Sequence, residues 1–383
     1  MKILVLIHEF PPVGGGGGRV AQDICHTLVK RGHEITILTA HLKGLPGEEM
    51  VDGVRVLRLP SLRREAFRAD LKAMGGYVLS GLWAGYRLIK RWQPDVIHVH
   101  FAVPAGALAL ALSKLTRTPY VMTAHLGDVP GGVPEKTGRW FKWVMPLTYP
   151  IWRDAERVIA VSEFTRQLAL KHYKREVEVI PNGVDLTLLR PAGIRVQNPP
   201  RIAFAGRLIE QKNPLQIVRT LTELKELPWQ CVLIGDGPLM QDIRREIAGY
   251  GLQERFSLPG WVTPDEVLAW LDQSDILFMP SLSEGLPVVG VQALAKGLAI
   301  VASKIGGFVD IVDETVNGYL ADLSRPFEFA SGLKQLLSDE ARLQGFREAS
   351  LKKATLFDSV KIGERYEQIF LEISPPNREL RKS

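Results

Sequence analysis

Two cysteines in 383 residues, Cys25 and Cys231, are too few and too far apart for a disulfide framework. Such usage fits reduced thiols in a cytoplasm, with packing as their role. No apolar run reaches the roughly 18–20 residues that span a bilayer. The N-terminal run, Met1 to His8, is too short and too polar at its end for a signal peptide and reads as a first strand. A cytoplasmic location is expected, with the inner face of the cell membrane as a peripheral variant. Asp-x-Asp occurs nowhere, and no His, Cys or Glu cluster has metal-ligand spacing. His98 and His100 would share one face of a strand but lack further ligands, so strand-end packing is expected there. Repeats of short period are absent as well.

What is present is ordinary for a soluble globular chain: 46% hydrophobic and 23% charged residues. The length points to two domains. Charge is uneven. Residues 1–190 hold 26 Lys and Arg against 17 Asp and Glu, a net of +9, which leaves −3 for the remainder of a chain at +6. A basic first half can steer an acidic acceptor, rest on anionic lipid, or simply be solvated. No nucleic-acid partner is expected.

The first half alternates strands at 2–8, 33–40, 54–59, 95–101, 119–125, 157–162 and 177–181 with stretches long enough to be crossover helices. That pattern predicts a parallel sheet covered on both faces. Five glycines, Gly14 to Gly18, follow the first strand and precede an amphipathic helix over 20–29. Strand, glycine loop and helix form a geometry for approaching phosphate. A dinucleotide-binding dehydrogenase would want a carboxylate after the second strand. The chain supplies His41-Leu42-Lys43-Gly44 there, which sets NAD aside. His125 and Asp128 follow a strand end, where ligand-binding groups collect in α/β folds. Ser162 is placed as a helix N-cap. Two stretches mix aromatics with cations, 138–153 and 63–68. Core packing of the aromatics is the favoured reading, and a membrane-facing or acceptor-facing segment is the other.

Residues 186–200, with Pro191, Pro199 and Pro200, read as an interdomain connection. A second alternating series begins at 201. Arg207 and Lys212 stand on either side of a strand-to-helix turn, where an anion can be held by a forked contact and a point charge. Residues 275–280 read as a buried strand. It leads into Ser281-Leu282-Ser283-Glu284-Gly285-Leu286-Pro287 and then an apolar helix bearing Gln292. Pro287 fits a first helical turn, and Gly285 admits a close ligand. Backbone N–H groups there suit phosphate oxygens.

Ser283-Glu284-Gly285-Leu286-Pro287 and the helix after it resemble the donor-site motif of the retaining glycosyltransferases of family 4. Gly206-Arg207-Leu208 with Glu210-Gln211-Lys212-Asn213-Pro214 is a second match, and the glycine loop, His125 with Asp128, and Ile180-Pro181-Asn182-Gly183 are further ones. The resemblance covers nearly the whole chain in order. It implies the α/β GT-B fold: two Rossmann-like, doubly wound parallel-sheet domains facing across a cleft, the last helix crossing back to the first domain. The divisions expected are an acceptor-side domain at 1–185, a linker at 186–200, a nucleotide-sugar-binding domain at 201–356, and a crossover helix and tail at 357–383.

The same resemblance implies a retaining enzyme that moves a sugar from a UDP-, GDP- or ADP-sugar to a hydroxyl of a glycan, small molecule or lipid-linked acceptor. No cofactor and no metal are expected. Arg207 and Lys212 would hold the diphosphate, Glu284 the sugar hydroxyls, and His125 the donor sugar or acceptor. Gly15, Gly16, Gly285, Leu286 and Pro287 would line the donor, with Gly235 and Val262 near the base. The family's second glutamate, eight residues after the first, is here Gln292, which would contact ribose without a charge. Two rival readings are a GT-B sugar-nucleotide epimerase and a nucleotide-sugar-binding protein without turnover. A phosphorylase is disfavoured by length and by the absence of a clear lysine for pyridoxal phosphate. Peripheral contact with an anionic membrane is a further expectation.

Overall fold

Short apolar strands alternating with amphipathic helices produce two separate sheets, each in its own unit. The computed structural model describes residues 1–66, 69–133, 141–191 and 193–374. Unit 1 is Met1–Gly183 with Ser359–Ser383, and unit 2 is Val184–Asp358.

Unit 1 is built on β1 (Lys2–Leu6), β2 (Glu34–Leu42), β3 (Glu48–Val51), β4 (Val54–Arg63), β5 (Val96–His100), β6 (Tyr120–Ala124), β7 (Arg157–Ala160) and β8 (Glu178–Val179). The strand order is β3-β4-β2-β1-β5-β6-β7-β8. Leu4 lies opposite Thr36 on one side and Ile97 on the other, both in parallel register. The direction of winding therefore reverses between β1 and β5. Among the described residues the one antiparallel pair, β3 with β4, is a hairpin that strand patterning missed. Its acidic residues Glu48 and Glu49 hide the alternation, although Asp52-Gly53, with φ of 49° and 81°, is the turn such hairpins favour.

Helices Leu71–Trp92, Ala107–Thr116 and Phe141–Asp154 cover one face of this sheet. Tyr77, Leu108, Leu112, Ile151 and Trp152 share a core there with Leu38, Ile97 and Met122. Asp70 caps the first of these helices, accepting the Ala73 N–H at 2.7 Å. On the opposite face helix Gly16–Lys30 packs against helix Ser359–Ile373. Arg31 is paired with Glu364 and Glu367, and His33 Nε2 lies 2.8 Å from Glu367. The last helix thus completes unit 1.

Unit 2 carries β9 (Arg201–Ala205), β10 (Gln230–Ile234), β11 (Phe256–Gly260), β12 (Ile276–Met279), β13 (Ala299–Ser303) and β14 (Gly318–Ala321). Their order is β11-β10-β9-β12-β13-β14, all parallel. Here the reversal falls between β9 and β12. Residues 186–200, expected as a linker, are tied into this unit. Leu186–Leu189 is a helical turn capped by Asp185. Gln197 N–H donates to Asp275 at 3.1 Å, and the Arg195 carbonyl accepts from Arg347 at 2.7 Å. The partners that hold the segment lie far away in sequence. The chain passes between the units twice, and at that place Val184 N–H donates to the Phe357 carbonyl at 2.9 Å. Among the described residues no helix is long and apolar enough to cross a membrane.

Candidate active site

In unit 2 the polar groups gather beyond the C-terminal ends of β9 and β12, the strands flanking the reversal, where α/β sheets bind ligands. β9 runs into Gly206 and Arg207 and then the turn Glu210–Lys212. Asn213, at φ 49°, and Pro214 open the next helix. β12 runs into Ser281 and Glu284. The Lys212 ammonium donates to Glu284 Oε1, and Ser281 Oγ donates to the same oxygen at 2.9 Å. Ser281 and Glu284 are buried. The two loops are stitched together by Leu282 N–H to the Gln211 carbonyl at 2.8 Å. The Gln211 side-chain amide also donates to the Ser283 carbonyl at 3.1 Å.

A third loop supports this turn from behind. A Cβ placed on Gly306 would sit 1.8 Å from the Glu284 carbonyl oxygen, and one on Gly307 would sit 2.0 Å from that of Gly285. Only glycine fits beneath these carbonyls. Pro287 differs from the expectation of a first-turn residue. It occupies the N-cap position, with the helix beginning at Val288 (Val288–Ala295). Its carbonyl accepts from Gly290 at 3.0 Å, so it starts the helix from outside. Gln292 lies half-buried on that helix. Gly235 N–H donates to the Gly260 carbonyl at 2.9 Å, which sets the ends of β10 and β11 side by side, with half-buried Val262 just beyond. Arg207 is exposed and, among the described residues, joins no ion pair. The pair that forms is Lys212 with Glu284.

In unit 1 the corresponding strand ends belong to β1, β5 and β6. The glycines expected as a loop are partly helical: Gly15 is the N-cap and Gly16 the first residue of helix Gly16–Lys30. A Cβ on Gly17 would lie 2.4 Å from Phe101 Cζ, so Gly17 is seated against that ring. Phe101, just past β5, has φ 71° and ψ 132°, a strained conformation for a residue with a Cβ. Its ring stacks on His125, with centroids 4.3 Å apart, and meets the edge of His8 at 5.4 Å. No periodicity or composition marks Phe101; its role follows from the turn alone.

Asp128 fixes the His125 turn. Its carboxylate accepts the His125 N–H at 2.8 Å and the Ala102 N–H at 2.7 Å. Burial pushes Asp128 up to about 7 against those hydrogen bonds. Burial brings His125 down to about 4, with His8 adding to the effect, and His8 also down to about 4. His100 Nδ1 lies 3.4 Å from His125 Nε2. Behind it His98 bonds Thr123 at 2.9 Å and packs on Tyr366 and Phe370 of the last helix. Burial holds His98 near 3 and His100 well below its ordinary value. A row of neutral imidazoles therefore runs inward from His125. Among the described residues no three His, Cys, Asp or Glu converge as metal ligands.

The two aromatic and basic stretches resolve differently. Arg63 is buried. It donates to the His8 carbonyl at 3.3 Å and to Glu9 at 3.0 Å, so it braces the loop after β1. Phe67, Arg68 and residues 138–140 lie outside the described residues, as does the tail at 375–383. Of the rest, Ile151 and Trp152 are core, while Trp143 and Leu147 are exposed. Ser162 caps its helix by accepting the Thr165 N–H at 3.1 Å. Cys25 and Cys231 are buried, and desolvation pushes both thiols up.

Two family models divide the chain between them: Glycosyltransferase Family 4 over residues 14–188 and Glycosyl transferases group 1 over residues 188–353. The chain belongs to the family 4 glycosyltransferases, transferases that use nucleotide-sugars, and it has the GT-B fold. A 2-deoxystreptamine glucosyltransferase of Streptomyces kanamyceticus is 27% identical over 343 residues, covering 82% of this chain and 87% of its own. The structure of sucrose-phosphate synthase from Thermosynechococcus elongatus superposes with a TM-score of 0.85 at 18% identity, covering 97% of this chain and 98% of that one. Anabaena HepE, in complex with UDP and glucose, superposes with a TM-score of 0.77 at 19% identity over 96% of this chain and 99% of its own.

Proposed function

We propose that this transferase is a retaining, metal-independent enzyme, moving a sugar from a UDP-, GDP- or ADP-sugar to a hydroxyl of a glycan, small-molecule or lipid-linked acceptor. The observation that carries the reading is the Lys212–Glu284 pair at the strand reversal of unit 2. Breaking the glycosidic bond places negative charge on the leaving diphosphate. A fixed cation stabilises that charge most where water is scarce. Lys212, held beside the turn, and Arg207, exposed and without an ion partner among the described residues, are assigned to that charge together with the backbone from Gly285 to Pro287. Glu284 accepts from sugar hydroxyls and orients the reacting carbon. Gln292 is assigned to the ribose, Gly235 and Val262 to the base, Gly15 and Gly16 to the diphosphate, and His125 to the donor sugar or acceptor. Neutral imidazole is the form that burial favours for His125, so it acts as a hydrogen-bonding group and not as a standing cation.

The test is incubation with labelled UDP-, GDP- and ADP-sugars and an acceptor panel, with and without a chelator. Transfer that survives chelation, giving product with the donor's anomeric configuration, supports the reading. Release of an epimer of the donor sugar identifies an epimerase. Tight nucleotide binding with neither transfer nor donor hydrolysis identifies a binding protein.

A further inference from the structure

The helical layer over one face of the unit 1 sheet has an outer surface that the catalytic reading leaves unused. Helix Leu71–Trp92 buries Tyr77, Gly81, Gly85 and Ile89. Its opposite stripe exposes Leu79 (74%) and Trp83 (66%), with Tyr86 one turn on. These residues recur at helical spacing along one side. Arg87 lies over the Trp83 ring at 4.4 Å, and Lys90 over Tyr86 at 5.7 Å. Each cation is thus held at the edge of an apolar strip. On the far side of helix Ala107–Thr116, helix Phe141–Asp154 exposes Trp143 (84%) and Leu147 (70%). Both outer helices bury their inner residues in the same core, so both stripes face away from the same sheet.

Charge decides what this surface suits. The three helices carry seven Lys and Arg and one carboxylate, Asp154. That carboxylate is already paired with Lys114 and Arg153, each at 2.7 Å. A protein partner for an apolar strip needs no such bias of sign. An anionic bilayer does, since its surface attracts each cation while tryptophan, tyrosine and leucine settle at the headgroup boundary. No helix among the described residues can cross the bilayer, so the contact is peripheral.

We infer that the outer face of helix Leu71–Trp92, centred on Trp83, is a docking surface for an anionic lipid bilayer. The inference is independent of the assigned catalytic roles, because its test contains no sugar substrate. The full chain is sedimented with vesicles of phosphatidylglycerol in phosphatidylcholine, and with phosphatidylcholine alone, at low and at high salt. Tryptophan emission is followed in parallel and compared with that of Trp83→Phe.

Binding is expected to the anionic vesicles only, to weaken with salt, and to bring a blue shift that Trp83→Phe reduces. Replacing Arg87, Lys90 and Arg91 together with Gln removes three surface cations and weakens binding on the order of a hundredfold at low salt. Leu79→Ser with Trp83→Ser weakens it by roughly tenfold, and the melting temperature of each variant reports that it is folded. Three outcomes overturn the inference: no sedimentation with anionic vesicles, sedimentation equal for wild type and both variants, or a dimer in solution that these substitutions dissociate while vesicles are ignored.

Discussion

Lys212 and Glu284, 72 positions apart in sequence, meet as an ion pair at the ends of two neighbouring strands. The lysine assigned to the diphosphate already has a carboxylate partner, so an incoming diphosphate competes with Glu284 for it. Glu284→Gln keeps an acceptor for Ser281 while releasing the ammonium. Calorimetry should find nucleoside-diphosphate affinity unchanged or higher, with transfer lower by about a hundredfold because the sugar is no longer oriented. Lys212→Ala should lose most of the diphosphate-induced rise in melting temperature. An unchanged rise assigns the charge to another cation.

Gly306→Ala should raise the donor KM and lower the melting temperature. Its Cβ would sit 1.8 Å from the Glu284 carbonyl oxygen, and at φ 51° the backbone itself resists a side chain. Gly345→Ala is the control, since nothing lies within 4 Å of a Cβ in that helix. It should stabilise by about 0.5–1 kcal/mol, with kinetics unchanged.

Phe101→Leu should lower kcat more than it lowers thermal stability. The ring joins Gly17 to His125, and a leucine keeps the bulk while losing the stacked face. Phe101→Gly relieves about 1–3 kcal/mol of backbone strain and should still be nearly inactive. Activity retained in both variants removes Phe101 from any positioning role.

Unit 1 should be acid-labile. His8 and His125 are held near 4 and His98 near 3, against an ordinary 6.5. As the pH falls below about 6.5 the unfolded chain takes up protons that the folded chain refuses, so stability present above that value is lost toward pH 4. Asp128 acts in reverse. Raised from 3.8 to about 7, it favours the fold at low pH and subtracts from it as the pH rises from 4 to 7. With His100 also held well below its ordinary value, the imidazoles outweigh the one carboxyl, so the net effect is a loss of stability as the pH falls from about 6.5 toward 4. Calorimetry at pH 7 and pH 5 reads this directly, and His98→Gln should flatten the dependence.

Arg347→Ala should cost unit 2 about 3–5 kcal/mol, because it strands a buried carboxylate. Asp275 is fully buried beside Arg347. Burial pushes its carboxyl up even against that guanidinium and the Arg201 N–H. Arg347 also donates to the Gly297 carbonyl at 2.8 Å. Urea titration followed by a unit 2 probe such as Trp229 measures the loss, and a change within 0.5 kcal/mol refutes it.

Strand positions and the two-sheet plan were legible because runs such as 3–7 and 276–279 are apolar throughout, as strands buried on both faces must be. The Glu284 turn was legible because glycine, proline and charge at close spacing leave few alternatives. The support beneath it was not, since Gly306 touches Glu284 only after β13 has formed. Phe101 carried no signal, because a strained φ is imposed by its surroundings. That the run at 186–200 is held by Asp275 and Arg347 was not legible, because both are distant in sequence.

The returning helix Ser359–Ile373 places Tyr366 and Phe370 over His98. During synthesis the His98 imidazole therefore waits for a helix made only after the whole of unit 2 before it is covered. Unit 2, whose residues are all contiguous, can close while the earlier half is still open on that side. Nascent chains halted before residue 359 should expose that apolar flank to chaperones, and those halted after the helix has emerged should not.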